Sequence, residues 1–167
     1  MKTLYQNKFE SPIGEILFLD DGESLCFMDF SENTERLETI LNRKFGPFQI
    51  KQGDDTLGIG LRLERYFEGD WQAFANVTLN NPGTDFQRSV WDQLLKIPPG
   101  KVLSYNQLAA KLSNPKAIRA AGTANGSNPI AIVVPCHRVI GKDGSLRGYA
   151  GGEWRKQWLL NHEGYQI

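Results

Sequence analysis

Asn80-Asn81-Pro82-Gly83 divides this chain in two. Asn and Gly tolerate backbone conformations that other residues avoid, and Pro fixes φ and removes a donor, so neither a helix nor a central strand passes through these four residues. The halves also differ in charge. Residues 1–83 hold 8 Lys+Arg and 14 Asp+Glu, a net of −6; residues 84–167 hold 11 and 5, a net of +6. The formal net charge of zero conceals the split. A boundary here gives an N-terminal domain of residues 1–80 and a C-terminal domain of residues 84–167, which suits a chain of 167 residues. The basic half suits a polyanion.

Composition excludes several classes. With 40% hydrophobic and 23% charged residues the chain is globular rather than disordered. Its apolar runs are as short as Ala131-Ile132-Val133-Val134, far below the roughly 20 residues of a membrane span. MKTLYQNKFESPIGE lacks the apolar core of a signal peptide. Two cysteines, Cys26 and Cys136, cannot build a disulfide framework, so a cytoplasmic protein with reduced thiols is expected.

The first half reads as strands followed by helices. Leu4–Phe9, Glu15–Leu19 and Leu25–Phe30 are separated by turn chemistry at residues 11–14 and 20–23, which predicts an antiparallel meander. Ser31 or Asn33 caps a helix with Leu37, Ile40, Leu41 and Phe45 on one face, ended by Gly46-Pro47. A second helix is predicted over residues 56–67, with Leu57, Leu61 and Phe67 inward. Trp71, Phe74, Val77 and Leu79 form a connector that packs on this half.

In the second half, Thr84 or Asp85 caps a helix with Phe86, Val90 and Leu94 on one face, broken at Pro98-Pro99-Gly100. Ser104 caps a short helix over residues 105–112. Asn114-Pro115 reads as a cap with Pro in the first turn of a third helix, residues 115–125, carrying Ala117, Ala120, Ala121 and Ala124. Two short helices joined by a tight turn in a basic half have the outline of a helix-turn-helix. Residues 139–149 read as a small hairpin around Asp143-Gly144, and a last helix covers residues 153–162 with Trp154, Trp158 and Leu159 apolar.

Nucleophilic chemistry has one strong candidate. A thiol reacts as thiolate, which a nearby base or positive charge favours. Cys136 is followed by His137 and Arg138 and preceded by Pro135. Neighbours in sequence do not face each other in regular structure, so Cys136 and His137 would communicate through a turn or a bridging water. Free cysteines are often inert core residues, and Cys26, in Leu25-Cys26-Phe27-Met28, fits that description. His162-Glu163 supplies a carboxylate that could orient His137, or Glu163 simply ends a helix in solvent. Spacing gives no metal site, because neither CxxC nor HxxxH pairing occurs.

Val133-Val134-Pro135-Cys136-His137-Arg138-Val139-Ile140 resembles the active-site signature of the O6-alkylguanine-DNA alkyltransferases. The likeness extends over residues 84–167, through Phe86-Gln87-Arg88-Ser89-Val90-Trp91, Ile97-Pro98-Pro99-Gly100, Ser104-Tyr105-Asn106-Gln107-Leu108-Ala109, Gly126-Ser127-Asn128-Pro129, Gly148-Tyr149-Ala150-Gly151-Gly152 and the segment from Trp158 to Gly164. Residues 1–83 match only in strand order and length. The resemblance is to the stand-alone bacterial type. It implies an α+β fold: a small N-terminal antiparallel-sheet-plus-helix domain, ribonuclease H-like, followed by a mainly helical, winged-helix-like domain with a helix-turn-helix.

The resemblance also implies a reaction and assigns residues to it. An alkylated guanine, or thymine alkylated at O4, is flipped from double-stranded DNA, and its alkyl group moves irreversibly to Cys136. His137 activates the thiol through a water, Glu163 orients His137, Asn128 orders the surrounding loops, and Tyr105 donates to the leaving base. Arg119 fills the gap in the stack; Ala117, Ala120, Thr123, Ser104 and Tyr105 lie at the DNA. Main chain around Cys136, Val139 and Ala150 reads the base edge, with Pro135 and Tyr149 lining the pocket. The duplex is approached from the minor groove by a monomer that needs no cofactor. Zinc is not expected, because residues 1–83 contain only Cys26 and no His.

Two other readings compete. A cysteine hydrolase leaves the basic helix pair unexplained. A lesion-binding or helix-turn-helix DNA-binding protein without transfer leaves Cys136 unused.

Overall fold

The computed structural model describes residues 1–81 and 83–166; Pro82, within the loop expected at residues 80–83, and Ile167 lie outside the described residues. The chain is mixed α+β and divides into two compact units, Met1–Pro82 and Gly83–Ile167.

Three strands form as expected, with longer ends: β1 (Lys2–Ser11), β2 (Gly14–Asp20) and β3 (Leu25–Phe30). The β1–β2 turn follows from its residues. Gly14 sits at φ +114, where a side chain is strained, and Ser11 Oγ donates to the Gly14 carbonyl at 2.6 Å while accepting from Ile13 N. A 3₁₀ turn (Ser31–Arg36) then leads into α1 (Leu37–Phe45), so the helix starts later than its candidate caps. Asp29 anchors that turn: its carboxylate accepts from Phe30 N, Asn33 and Arg36.

The sheet is not a pure meander. A fourth strand, β4 (Phe48–Gln52), pairs in parallel with β1, giving the order β3-β2-β1-β4. Leu37 and Leu41 of α1 pack with Leu4, Leu17, Leu19, Cys26 and Phe27, supported by Ile40, Phe45 and Phe48. Truncating one such buried leucine to alanine costs about 2–5 kcal/mol. α2 (Ile59–Phe67) starts three residues later than expected and buries Ile59, Leu63 and Tyr66 against β1. Leu61, expected inward, is exposed, because the helix phase is set by Ile59 and Leu63. The connector joins this unit: Arg62 donates to the carbonyls of Ala73 and Ala75, and Leu25 exchanges hydrogen bonds with Thr78 and Asn80. That exchange is an isolated parallel bridge at Leu25, the first residue of the β3 edge.

The second unit contains α3 (Asp85–Leu94), β5 (Leu103–Ser104), α4 (Tyr105–Lys111), α5 (Ile118–Gly126), β6 (Val139–Ile140) and α6 (Glu153–His162). Thr84 with Gln87, and Ser104 with Gln107, form reciprocal capping boxes, which fix where α3 and α4 begin. Residues 115–117 form a turn, so α5 starts at Ile118 rather than at Pro115. α5 packs against α3 and α4, and Trp91 Nε1 donates to the Ala124 carbonyl at 2.9 Å. The expected hairpin over residues 139–149 is absent among the described residues. The turn at Asp143-Gly144 closes, with Gly141 N donating to Ser145 O, but β6 pairs in parallel with β5 instead.

Candidate active site

The β5–β6 pairing brings distant parts of the sequence together. Leu103 opposes Val139 and Ser104 opposes Ile140, so Tyr105, which opens α4, lies near the turn that precedes Val139. That turn is a 3₁₀ segment, Cys136–Arg138.

The approach to Cys136 is held tightly. Val133 N donates to Ala131 O across Ile132, whose φ is +70, a γ-turn of the strained, positive-φ kind. A β-branched residue there costs about 1–3 kcal/mol, which persists only where the surroundings fix it. Pro135 (φ −83, ψ 66) centres a second, relaxed γ-turn that closes between Cys136 N and Val134 O. Asn128 clamps the loop: its Nδ2 donates to Ile130 O and to Val134 O (2.7 Å), and its Oδ1 accepts from Ile130 N. Asn125 Nδ2 donates to Cys136 O.

Cys136 is 7% exposed, and the adjacent His137 is fully buried. His137 Nε2 lies 2.9 Å from Glu163 Oε2. The same carboxylate receives a fork from Arg138, with Nε on Oε1 and Nη2 on Oε2, each at 2.8 Å. Arg138 Nη1 donates to the Ile97 carbonyl, which gives the Ile97-Pro98-Pro99-Gly100 segment a structural task. Burial lowers the His137 pKa and outweighs Glu163, so the imidazole is neutral. Burial pushes the Glu163 carboxyl up, but His137 and Arg138 more than offset it, so Glu163 is ionised well below the ordinary carboxylate range. An ionised carboxylate only accepts, so the ring proton sits on Nε2. Nδ1 therefore carries the basic lone pair, and it is buried with no hydrogen-bond partner among the described residues. Of the two readings of Glu163, a helix end in solvent is excluded: it is 5% exposed and bonded to both His137 and Arg138.

Two cations surround this turn, and sequence reasoning gave neither a place in the site. The sequence shows only the charge of Arg138 beside Cys136. Lys156, on α6, is 1% exposed and donates to the Val139 carbonyl at 2.5 Å. Burial lowers its pKa to about 8, with Cys136 opposing that shift electrostatically. Its signal was a lysine in register with Leu159, Leu160 and Glu163 on the buried side of α6.

Tyr105 is half-buried. Burial, then the proximity of Cys136, raises its pKa, so at neutral pH the phenol keeps its proton and can donate it. A Cβ on Gly148 would stand 3.8 Å from the Tyr105 hydroxyl, and one on Gly122 would stand 3.5 Å from its ring. Tyr105 is thus enclosed by α5 and the 148–152 loop. Arg155 Nη1 ties that loop to α6 through the Gly151 carbonyl and stacks on Trp154 at 4.7 Å. Tyr149 is half-buried and Ala150 exposed at the loop surface. The Cys136 carbonyl accepts from Asn125 Nδ2 and from Val139 N, and the Val139 carbonyl accepts from Lys156.

The α5 alanines divide between two faces. Ala121 and Ala124 are buried against the neighbouring helices, whereas Arg119, Ala120 and Thr123 are exposed and Ala117 is half-buried. Small side chains therefore serve both close helix packing and a flat outer surface. That surface borders a shallow depression of about 580 Å³ lined also by Thr84, Lys116 and Phe86. Phe86, which the spacing puts on one face with Val90 and Leu94, is 39% exposed there, whereas Val90, Trp91 and Leu94 are buried. The half-buried Ser104 hydroxyl accepts from Gln107 N as the cap of α4.

Among the described residues, no group of three or more His, Cys, Asp or Glu side chains is arranged to hold a metal ion, and no helix is long and apolar enough to cross a membrane.

The chain is similar to known proteins. Residues 85–165 match the model of the 6-O-methylguanine DNA methyltransferase DNA-binding domain. A methylated-DNA–protein-cysteine methyltransferase of Salmonella typhimurium is 42% identical, over 100% of this chain and 99% of its own length. The crystal structure of Mycobacterium tuberculosis O6-methylguanine methyltransferase superposes with a TM-score of 0.81 at 39% identity, covering 96% of this chain and 92% of that one. The M. tuberculosis OGT solved in complex with DNA gives a TM-score of 0.78 at 39% identity, again over 96% and 92%. With identity of this order sustained from end to end, the chain is a member of the methylated-DNA–protein-cysteine methyltransferase family.

Proposed function

We propose that this protein repairs DNA by moving the alkyl group of O6-alkylguanine, and of O4-alkylthymine, onto Sγ of Cys136 in a single irreversible turnover. The observation that carries the reading is His137. It is a buried neutral imidazole with Nε2 committed to an ionised carboxylate and Nδ1 left as an acceptor, within the turn that carries the thiol.

The Cys136 thiol proton passes to His137 Nδ1 through a water. The thiolate attacks the alkyl carbon in line, the carbon–O6 bond breaks, and an S–C bond forms. The leaving base collects a proton from Tyr105, and the resulting phenolate is reprotonated through water by the proton that His137 took from the thiol. Lys156 adds positive charge that favours thiolate over thiol. Glu163 and Asn128 act through others: one fixes the imidazole, the other fixes the loop.

A duplex hides O6 from such a pocket, so the base must be extruded at a cost of a few kcal/mol. The outer face of α5 offers Ala117, Ala120 and Thr123 to the minor groove, where small side chains permit close approach, and Arg119 reaches into the vacated stack. Pro135, Val139, Tyr149 and Ala150 wall the pocket. Every residue of this assignment lies in Gly83–Ile167, so Met1–Pro82 supports rather than supplies the chemistry, and one chain suffices. The test is uptake of label from a duplex carrying labelled O6-methylguanine. A transferase saturates at one equivalent, a hydrolase turns over, and a lesion binder takes up nothing.

A further inference from the structure

We propose that a cavity in the first unit, at the end of β2 and the loop before α2, binds a primary alkylammonium cation. The cavity measures about 380 Å³ and is lined by Tyr5, Asp20, Gly22, Asp54, Asp55 and Thr56. Three carboxylates line it and no lysine or arginine does. Lys2 is directed to Asp21, at 3.7 Å, which is not part of the lining.

Asp20 indicates what is missing. It is 2% exposed, and its Oδ1 accepts from Gly22 N at 2.8 Å. Its Oδ2 is buried with no hydrogen-bond partner among the described residues. A buried acceptor without a donor is costly, and a ligand N–H removes the deficit. Asp55 is fixed beside it: its two oxygens accept from Ile59 N and Gly60 N at the start of α2. Burial, and then the charges of Asp55 and Asp21, push the Asp20 carboxyl up, which a cation would reverse.

The class of ligand follows from size and geometry. The acidic side chains are not arranged for a metal ion. The volume is that of a small organic ligand rather than of a bare cation. An ammonium head directs three donors at carboxylates, and its aliphatic stem can lie along the half-exposed Tyr5 ring. Such a head comes either from a free diamine or from a lysine side chain.

The experiment is calorimetric titration of the full chain, without DNA and at constant ionic strength. The probes are 1,4-diaminobutane, Nα-acetyl-lysine amide and magnesium chloride. The expected result is one saturable site for the ammonium compounds. Asp20→Asn, which keeps the acceptor for Gly22 N, should abolish it. Asp54→Asn, an exposed position that leaves the fold intact, should weaken it about three- to fivefold, the size of one exposed charge contact. Tighter binding of the diamine identifies a free polyamine as ligand; tighter binding of the lysine amide identifies a protein lysine. Absence of saturable binding, binding of magnesium alone, or an affinity unchanged by Asp54→Asn would overturn the proposal.

Discussion

Glu163 Oε2 lies 2.9 Å from His137 Nε2, on a carboxylate that Arg138 grips by two further bonds. The arginine keeps the carboxylate charged, and the charged carboxylate keeps the histidine proton on Nε2. The basic lone pair is thereby left on Nδ1 before any substrate arrives.

Stability should fall on acidification with a contribution from His137. The buried imidazole stays neutral to lower pH than the ordinary value of 6.5, whereas the unfolded chain takes up that proton near 6.5. More protons on the unfolded state mean that stability is lost as pH drops below 6.5. Glu163 acts in the same direction lower down: its contribution is complete above the ordinary 4.5 and disappears as pH falls through its depressed native value. Thermal unfolding midpoints against pH should show a shallower decline below pH 6.5 for His137→Gln than for the parent. Parallel curves would mean that His137 is not neutral in the native state.

Glu163→Gln should destabilise the protein by about 3–5 kcal/mol, because it leaves the buried Arg138 guanidinium without its counter-charge. It should also slow transfer, since an amide can present either a donor or an acceptor to His137. Denaturant unfolding and single-turnover kinetics on the same preparation separate the two effects. A loss within experimental error of zero would place the Arg138 charge in solvent.

Much of the first unit was legible in the sequence. The three strands that carry the core are bounded by Ser-Pro-x-Gly and Asp-Asp-Gly turns, and apolar residues fill them. β4 was not legible, because it is an edge strand whose residues are half-buried or exposed. A strand that buries little leaves no alternation to detect. Asn114-Pro115 gave a false helix start, since a capping residue followed by proline also suits a turn. In the site, the Cys136-His137 adjacency was visible. Its support was not: Glu163 is 26 residues from His137, and Ile97 is 41 residues from Arg138. Such contacts are set by packing, and, its register with Leu159 and Leu160 apart, nothing in the sequence distinguishes the buried Lys156 from a surface lysine.

Lys156→Met should move the pH profile of Cys136 alkylation to higher pH. The ammonium is buried and coupled to Cys136, and methionine keeps its length without its charge. Above about 8, where Lys156 gives up its own proton, parent and variant should converge. A profile that coincides at all pH values would show that the lysine supports only the Val139 carbonyl.

Arg119 and Tyr105 should fail differently. Arg119→Ala removes a residue of the exposed α5 face, so its loss of about 1–3 kcal/mol should belong to base extrusion. The defect should shrink opposite a mismatch and vanish for the free alkylated base. Tyr105→Phe removes the protonated phenol, so its defect should persist on all three substrates. Equal slowing of Arg119→Ala on every substrate would reduce Arg119 to a phosphate contact.

Locating the transferred group tests the central claim most directly. The protein is incubated with excess duplex carrying O6-methylguanine, digested, and analysed by peptide mass. One methyl group per chain should appear, on the peptide containing Cys136, and none should appear in Cys136→Ser. Cys26, whose thiol burial pushes up to about 12, should stay unmodified, and Cys26→Ser should transfer normally. Methyl on Cys26, continued uptake by Cys136→Ser, or more than one turnover per chain would contradict the account.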